Sequence, residues 1–388
     1  MNGEGIAGRE SPQAAMRPKP RIALIAPGPA VPGGQGHQAR ILLQRLQAEG
    51  YRVTFLPVDP PFPRGFRWLR KLPYVRTLLN QALYLPGLLR IARADVVHVL
   101  SASYWSFLLA PAPAILLSRM LQKRSVLHYH SGEAEDHLGR WGILVHPVLR
   151  LADEIVVPSE YLRRIFESHG HRARMIRNMV ETSALRYRQR SPLRPHLLST
   201  RNLDSYYQVN HTLEAFALLK RSYPEASLTV AGSGAEERRL RRLAGSLGVD
   251  GIRFVGAVSP EEMPALYDAA DIFVNSSILD NQPVSVLEAF AAGLPVVSTG
   301  PGDLPSMVRH GETGLLVPQG DPAAMARAVA LLLGDPERAL ALARRARQEA
   351  EEYSWERVRA RWQAVLTGRE LGAGAGEAVP KPRLNPQS

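Results

Sequence analysis

Residues 271–299 limit what this chain can fold into more than any other stretch. Asp271-Ile-Phe-Val-Asn275 is a short apolar run of the kind a buried strand shows. A polar loop follows, with a carboxylate at Asp280. Pro283 suits the first turn of a helix, where its missing N–H costs nothing. Val284 to Ala292 reads as a short helix with Ala and Leu on its buried side, and Gly293 supplies the C-cap. Leu294-Pro-Val-Val-Ser-Thr299 is a second buried strand. Such a strand–loop–helix–strand unit aims its helix N-terminus at the carboxyl end of a sheet. Ligands of open α/β sheets bind there, and free helix N–H groups suit a phosphate.

The N-terminal half starts with a second unit of this kind. Arg21-Ile-Ala-Leu-Ile-Ala26 is a buried strand, Pro27 to Gly36 a loop, His37 to Gly50 an amphipathic helix and Tyr51 to Pro57 the next strand. The loop carries Gly33-Gly34-Gln35-Gly36. It lacks the G-x-G-x-x-G spacing of a dinucleotide site, and the second strand lacks the acid that would bind a ribose. Amides bared by Gly33 and Gly34 still suit a phosphate or substrate oxygen. Later, Arg124 to Tyr129 is a strand that runs into His130. Ser159 caps a helix from Glu160 to His169. Ala226 to Ala231 is a strand entering a turn at Gly232 and Gly234 ahead of a helix, Ala235 to Leu247. Glu181 to Leu198 reads as a charged linker, and the second domain is expected to open at Ser199.

The chain has 388 residues, of which 45% are apolar, enough for two cores. It has no cysteine, which excludes disulfides and thiolate metal sites and fits a reducing compartment. Charge is uneven. Residues 1–195 carry 28 Lys and Arg against 13 Asp and Glu, whereas residues 196–388 carry 20 against 23. An electropositive first half points to an anionic partner. Within it, Pro60 to Arg93 interleaves basic and apolar residues (Phe62, Arg64, Phe66, Arg67, Trp68, Arg70, Lys71, Tyr74, Arg76), as on a helix lying in a membrane interface. A solvated cationic face over the core is the alternative. No nucleic-acid module is present. Val96 to Ser118 is the longest run without Asp, Glu, Lys or Arg, but it holds His98, four Ser and two Pro. It is expected to be a strand and a buried helix rather than a membrane span. Residues 1–20 and 367–388 read as disordered tails, and no secretory signal is expected.

The central stretch resembles the Glu-x7-Glu motif of the family-four retaining glycosyltransferases of GT-B fold. There the motif runs into Leu-Glu-Ala-Met/Phe-Ala-x-Gly-x-Pro-Val-Val; here it is Leu287-Glu288-Ala-Phe-Ala-Ala-Gly-Leu-Pro-Val-Val297. The first acid is Asp280, one methylene shorter. The likeness covers roughly Arg21 to Leu366. It implies two Rossmann-like doubly wound α/β domains facing a cleft: residues 21–190 on the acceptor side, residues 191–350 on the nucleotide-sugar side, and a helix over 351–366 crossing back. It implies that Asp280 holds sugar hydroxyls, Glu288 the ribose, and amides of Ser285, Val286 and Leu287 the diphosphate. Gly33 and Gly34 would meet diphosphate and acceptor. Gly232 and Gly234 belong to the nucleotide-binding half. His130 matches the family's histidine near the donor sugar, with His128 as the alternative. Arg201 matches a cation that neutralises the diphosphate. The second cation, a Lys in the family, falls at or beside Tyr207, and Ser306 replaces an acid after Pro305.

The implied activity is a metal-independent hexosyl transfer from a UDP- or GDP-linked sugar to a glycan or lipid-linked acceptor, in cell-surface polysaccharide or glycolipid synthesis. No cofactor, metal site or nucleic acid is expected. The implied place is the cytoplasm, with the inner face of the cell membrane as a working surface. The rival reading, supported by the changes at 207, 280 and 306, is a non-catalytic binding or scaffold subunit of the same fold.

Overall fold

The computed structural model describes residues 18–28, 33–62, 65, 68 and 72–369. The tails expected at 1–20 and 367–388 lie largely outside the described residues, as do Arg64, Phe66, Arg67, Arg70 and Lys71. Two parallel six-stranded sheets make up the molecule. The first holds β1 (Ile22–Ala26), β2 (Val53–Pro57), β3 (Val96–Ser101), β4 (Arg124–Tyr129), β5 (Glu154–Val157) and β6 (Arg174–Met175), in the order β2-β1-β3-β4-β5-β6. Its helices are α1 (Gly34–Ala48), α2 (Pro73–Gly87), α3 (Tyr104–Leu109), α4 (Pro111–Met120), α5 (Ala134–Arg140), α6 (Gly142–Leu151) and α7 (Glu160–Ser168). Both faces are covered, so β1 is apolar throughout. Ala23 and Ile25 face one core; Ile22, Leu24 and Ala26 face the other.

The second sheet holds β7 (His196–Thr200), β8 (Ser227–Ala231), β9 (Ile252–Gly256), β10 (Ile272–Asn275), β11 (Val296–Ser298) and β12 (Leu315–Leu316). Its order, β9-β8-β7-β10-β11-β12, reverses direction between β7 and β10. The first sheet reverses between β1 and β3. A doubly wound sheet opens a crevice at such a switch point, outside the carboxyl ends of its strands. The second half also carries α8 (Val209–Lys220), α9 (Glu237–Ser246), α10 (Met263–Ala269), α11 (Val284–Ala292), α12 (Leu304–Met307), α13 (Pro322–Gly334), α14 (Pro336–Glu351) and α15 (Trp355–Thr367).

The last helix packs on the first sheet. Trp355, Val358, Trp362, Val365 and Leu366 share a core with Leu24, Val96 and Val126. Arg124 Nε donates to the Val365 carbonyl (3.0 Å). The Glu49 carboxylate takes bonds from Trp355 Nε1 (3.2 Å) and Arg359 Nε (2.8 Å).

Three expectations need correction. The first helix begins at Gly34, three residues early, because Gly33 takes φ 145° and caps it; Gly34 is helical, not loop. The run Val96 to Ser118 is a strand and two short helices, broken at Ala110 ahead of Pro111, with Trp105 exposed. Among the described residues no helix is long and apolar enough to cross a membrane. Part of the charged linker is buried structure, and β7 begins at His196, before Ser199. Arg188 Nη2 (2.7 Å) and Arg194 Nε (2.8 Å) bond the fully buried Asp271, and the buried Arg190 donates to the carbonyls of Tyr267, Ala270 and Ala292. Charge alone does not separate a solvated linker from a buried ion network.

Candidate active site

The switch point of the second sheet collects the expected donor residues. Arg201 follows β7, and the loop 276–283 follows β10 into α11. Arg201 Nη2 donates to Asp280 Oδ2 (2.5 Å) and Nη1 to Ser285 Oγ (2.9 Å). Its guanidinium lies 4.1 Å from the centre of the Tyr207 ring. An aromatic face thus stands where the resembled motif has a second cation. Burial raises the Asp280 carboxyl above its ordinary pKa, against the opposing pull of Arg201.

Helix α11 starts as its sequence predicts. Pro283 is the N-cap and Gly293, at φ 78°, the C-cap. Val286 and Leu287 send their side chains into the core, and the Val286 amide donates to the Pro283 carbonyl (3.2 Å). Gly232 and Gly234 act through space. A Cβ on Gly232 would stand 2.0 Å from the Arg201 carbonyl oxygen, and one on Gly234 2.4 Å from that of Leu203. These glycines let the turn after β8 pack against the segment that carries Arg201.

Glu288 sits one turn further along. The Tyr267 hydroxyl, fully buried, donates to Glu288 Oε2 (2.8 Å) and accepts from Thr200 Oγ1 (2.9 Å). His37, on α1 of the other sheet, brings Nε2 to 3.7 Å of Glu288 Oε1. Burial raises the Glu288 pKa to about 7. Burial and then Arg40 push His37 down to about 4, so that ring is neutral at pH 7. Sequence reading missed both His37 and Tyr267. His37 had a signal, its place directly after the Gly-rich loop; Tyr267 lies in an unremarkable helix.

The first sheet contributes His130. It follows β4, and its amide donates to the Ser101 carbonyl (3.1 Å). Its Nε2 is buried without a partner in the structure, and burial lowers its pKa to about 3. That neutral ring leaves one hydrogen-bonding nitrogen unused. His128 is different: its ring packs 4.9 Å from that of Trp362, in the layer under α15. The loop after His130 reaches the donor loop, because a Cβ on Gly132 would lie 3.6 Å from the Asp280 carbonyl. Three further links hold that loop. Ser159 Oγ donates to Asn281 Oδ1. The Asn178 backbone N–H donates to Gln282 Oε1 (2.6 Å), and Asn178 Nδ2 to the Gln282 carbonyl (2.9 Å). Glu133, Glu135, Asp136 and His137 line the start of α5, with His137 buried against Tyr129 (2.9 Å). Among the described residues no three His, Asp or Glu side chains gather as a metal site.

Two doubly wound sheets, each offering its switch-point loops to the other, define a GT-B protein. The comparisons agree. Residues 32–184 match the family model "Glycosyltransferase Family 4", and residues 187–349 match "Glycosyl transferases group 1". A glycogen synthase of Mycobacterium tuberculosis is 31% identical over 357 residues, 87% of this chain and 84% of that protein. A sulfoquinovosyl transferase of Arabidopsis thaliana is 26% identical over 383 residues, 89% of this chain and 72% of that one. Among solved structures, Anabaena HepE, crystallised with UDP-glucose, superposes with a TM-score of 0.72 at 16% identity, covering 90% of this chain and all of that one. A sucrose-phosphate synthase of Thermosynechococcus elongatus gives 0.67 at 21% identity, over 90% of this chain and 98% of that one. The chain belongs to the family 4 glycosyltransferases.

Proposed function

We propose that this protein transfers a hexose from a nucleoside-diphosphate sugar to a hydroxyl of a glycan or lipid-linked acceptor, with retention at the anomeric carbon. The observation that carries the reading is the convergence of Arg201, Asp280 and the α11 N-terminus at one switch point, with His130 reaching in from the other sheet. In this reading Arg201 and the first-turn amides of α11 take the diphosphate, Glu288 the ribose, and Asp280 and His130 the sugar hydroxyls. The acceptor oxygen attacks the anomeric carbon on the face the phosphate leaves. The carbon–phosphate-oxygen bond breaks with its electron pair going to the diphosphate, and the acceptor proton passes to the leaving phosphate oxygen. No protein nucleophile is needed. HepE was crystallised with UDP-glucose, which makes UDP sugars the first donors to try and GDP sugars the second. The test is a melting-point and hydrolysis panel of both, with EDTA present. One donor is expected to raise the melting temperature and to be slowly hydrolysed. No shift with any donor would move the case to the non-catalytic subunit.

The working place in this reading is an anionic membrane surface. Seven of the sixteen large apolar side chains exposed among the described residues fall between Trp68 and Leu89. On α2 and the turn after it, Tyr74, Leu78, Leu85 and Leu89 are exposed beside Arg76, Arg90 and Arg93. No Asp or Glu lies between Asp59 and Asp95. An apolar ridge flanked by cations matches a bilayer with anionic headgroups. Co-sedimentation should show binding to phosphatidylcholine vesicles only when phosphatidylglycerol is included, with loss in high salt and in Leu78→Glu. Equal behaviour with both vesicle types would remove this part of the proposal.

A further inference from the structure

Where β3 ends, at the switch point of the first sheet, the chain enters α3 through Tyr104. Tyr104 has φ 55°, the left-handed region that costs a bulky residue about 1–3 kcal/mol. The turn places its ring 5.6 Å from that of Trp141, and Trp105 meets Trp141 edge-on at 5.2 Å. Trp105 is 65% exposed, and the Tyr104 hydroxyl donates to Asp136 Oδ2 (2.6 Å). Gly132, directly before Glu133, packs on the donor loop, where a Cβ would lie 3.6 Å from the Asp280 carbonyl, so the start of α5 faces the cleft.

We propose that Tyr104, Trp105 and Trp141 form a shelf that binds a sugar ring of a neutral acceptor glycan, with Glu133 and Asp136 accepting from its hydroxyls. The proposal deepens the transferase reading and rests on it. An open indole face held by a second indole offers a flat apolar surface to the C–H face of a sugar. Carboxylates are acceptors for hydroxyl donors. The charge here also separates the shelf from the membrane ridge. Around α2 the charged residues are arginines, whereas Asp136 bonds Tyr104 and Arg140 (2.8 Å) and Glu133 starts the same helix. A shelf edged by carboxylates is a poor partner for an anionic headgroup or an acidic glycan. It also lies beside the strand end whose Ser101 carbonyl receives both the His130 amide and Gln35 Nε2 (2.5 Å), and His130 is the residue proposed to meet the donor sugar.

The test uses the full chain with methyl and octyl glycosides of glucose, galactose, mannose and N-acetylglucosamine as probes, and glucuronides as the anionic control. In Trp105→Ala the KM for the best glycoside should rise about tenfold with kcat little changed, and Trp105→Phe should recover most of the loss. Glucuronides should be poorer acceptors than the matching glucosides. An unchanged KM, a fall confined to kcat, or a preference for glucuronides would overturn the shelf. If the wild-type protein turns over no donor, the transferase reading fails separately. Titrating tryptophan fluorescence with the same glycosides then decides the shelf alone: no change on titration, or the same change in Trp105→Ala, removes it.

Discussion

Replacing Glu288 by Gln is expected to stabilise the protein above neutral pH while lowering donor use by about 100-fold. Both effects come from one buried carboxyl. Its side chain is 17% exposed and receives the Tyr267 hydroxyl, and burial raises its pKa from 4.5 to about 7. A raised acid pKa means that the folded state holds its proton longer than the unfolded chain does. Stability therefore falls as pH rises from about 4.5 through about 7, by roughly 3 kcal/mol in all. Gln carries no charge and escapes that loss, so the variant should match wild type near pH 4 and exceed it at pH 8. The proposed ribose contact works the other way. A ribose hydroxyl donates best to the ionised carboxylate. Wild-type donor affinity should climb through about pH 7, and that of the Gln variant should stay flat. Thermal melts across pH, paired with donor titrations, read both effects. Parallel melting curves would remove the buried-acid argument, and an unchanged donor affinity the ribose assignment.

The unit around Glu288 was legible because punctuation is local. Pro283 and Gly293 bracket Val284–Ala292, and the observed helix has those bounds. Arg201, Asp280 and His130 were each legible as positions at strand ends. What joins them was not, because strand order is a long-range property. No local pattern says that β7 lies beside β10, so the Arg201–Asp280 pair could not be read in advance. The choice between His130 and His128 had the same obstacle. Period-two alternation puts the two rings on one side, and only the return of α15 with Trp362 covers one of them. Tyr207 looked like the loss of a cation. In space its ring supports the cation that remains. Arg190 read as part of a charged linker, because sequence reports charge directly, whereas its burial depends on the distant carbonyls of Tyr267, Ala270 and Ala292 that it bonds.

Arg201→Ala should be the most damaging single change at the donor site, and Asp280→Asn should repair half of the damage. The two side chains are 9% and 10% exposed and bonded to each other. Removing the cation leaves Asp280 buried with no opposite charge, which typically costs 3–5 kcal/mol. Adding Asp280→Asn removes that stranded charge, so the double variant should regain most of the stability. It should not regain donor binding, because the guanidinium proposed to take the diphosphate is still gone. Asp280→Asn alone should move binding in opposite directions. Arg201 is freed from its partner, so the bare nucleoside diphosphate should bind several-fold tighter. The sugar donor should gain less, since a proposed acceptor for its hydroxyls has lost its charge. Urea unfolding of the four proteins in the cycle, with calorimetric titration of UDP, GDP and their sugars, separates the two roles. Additive losses in the cycle would mean that Arg201 and Asp280 do not act as a pair. Tighter nucleotide binding without a matching gain for the sugar donor is the result expected if one residue holds the phosphates and the other the sugar.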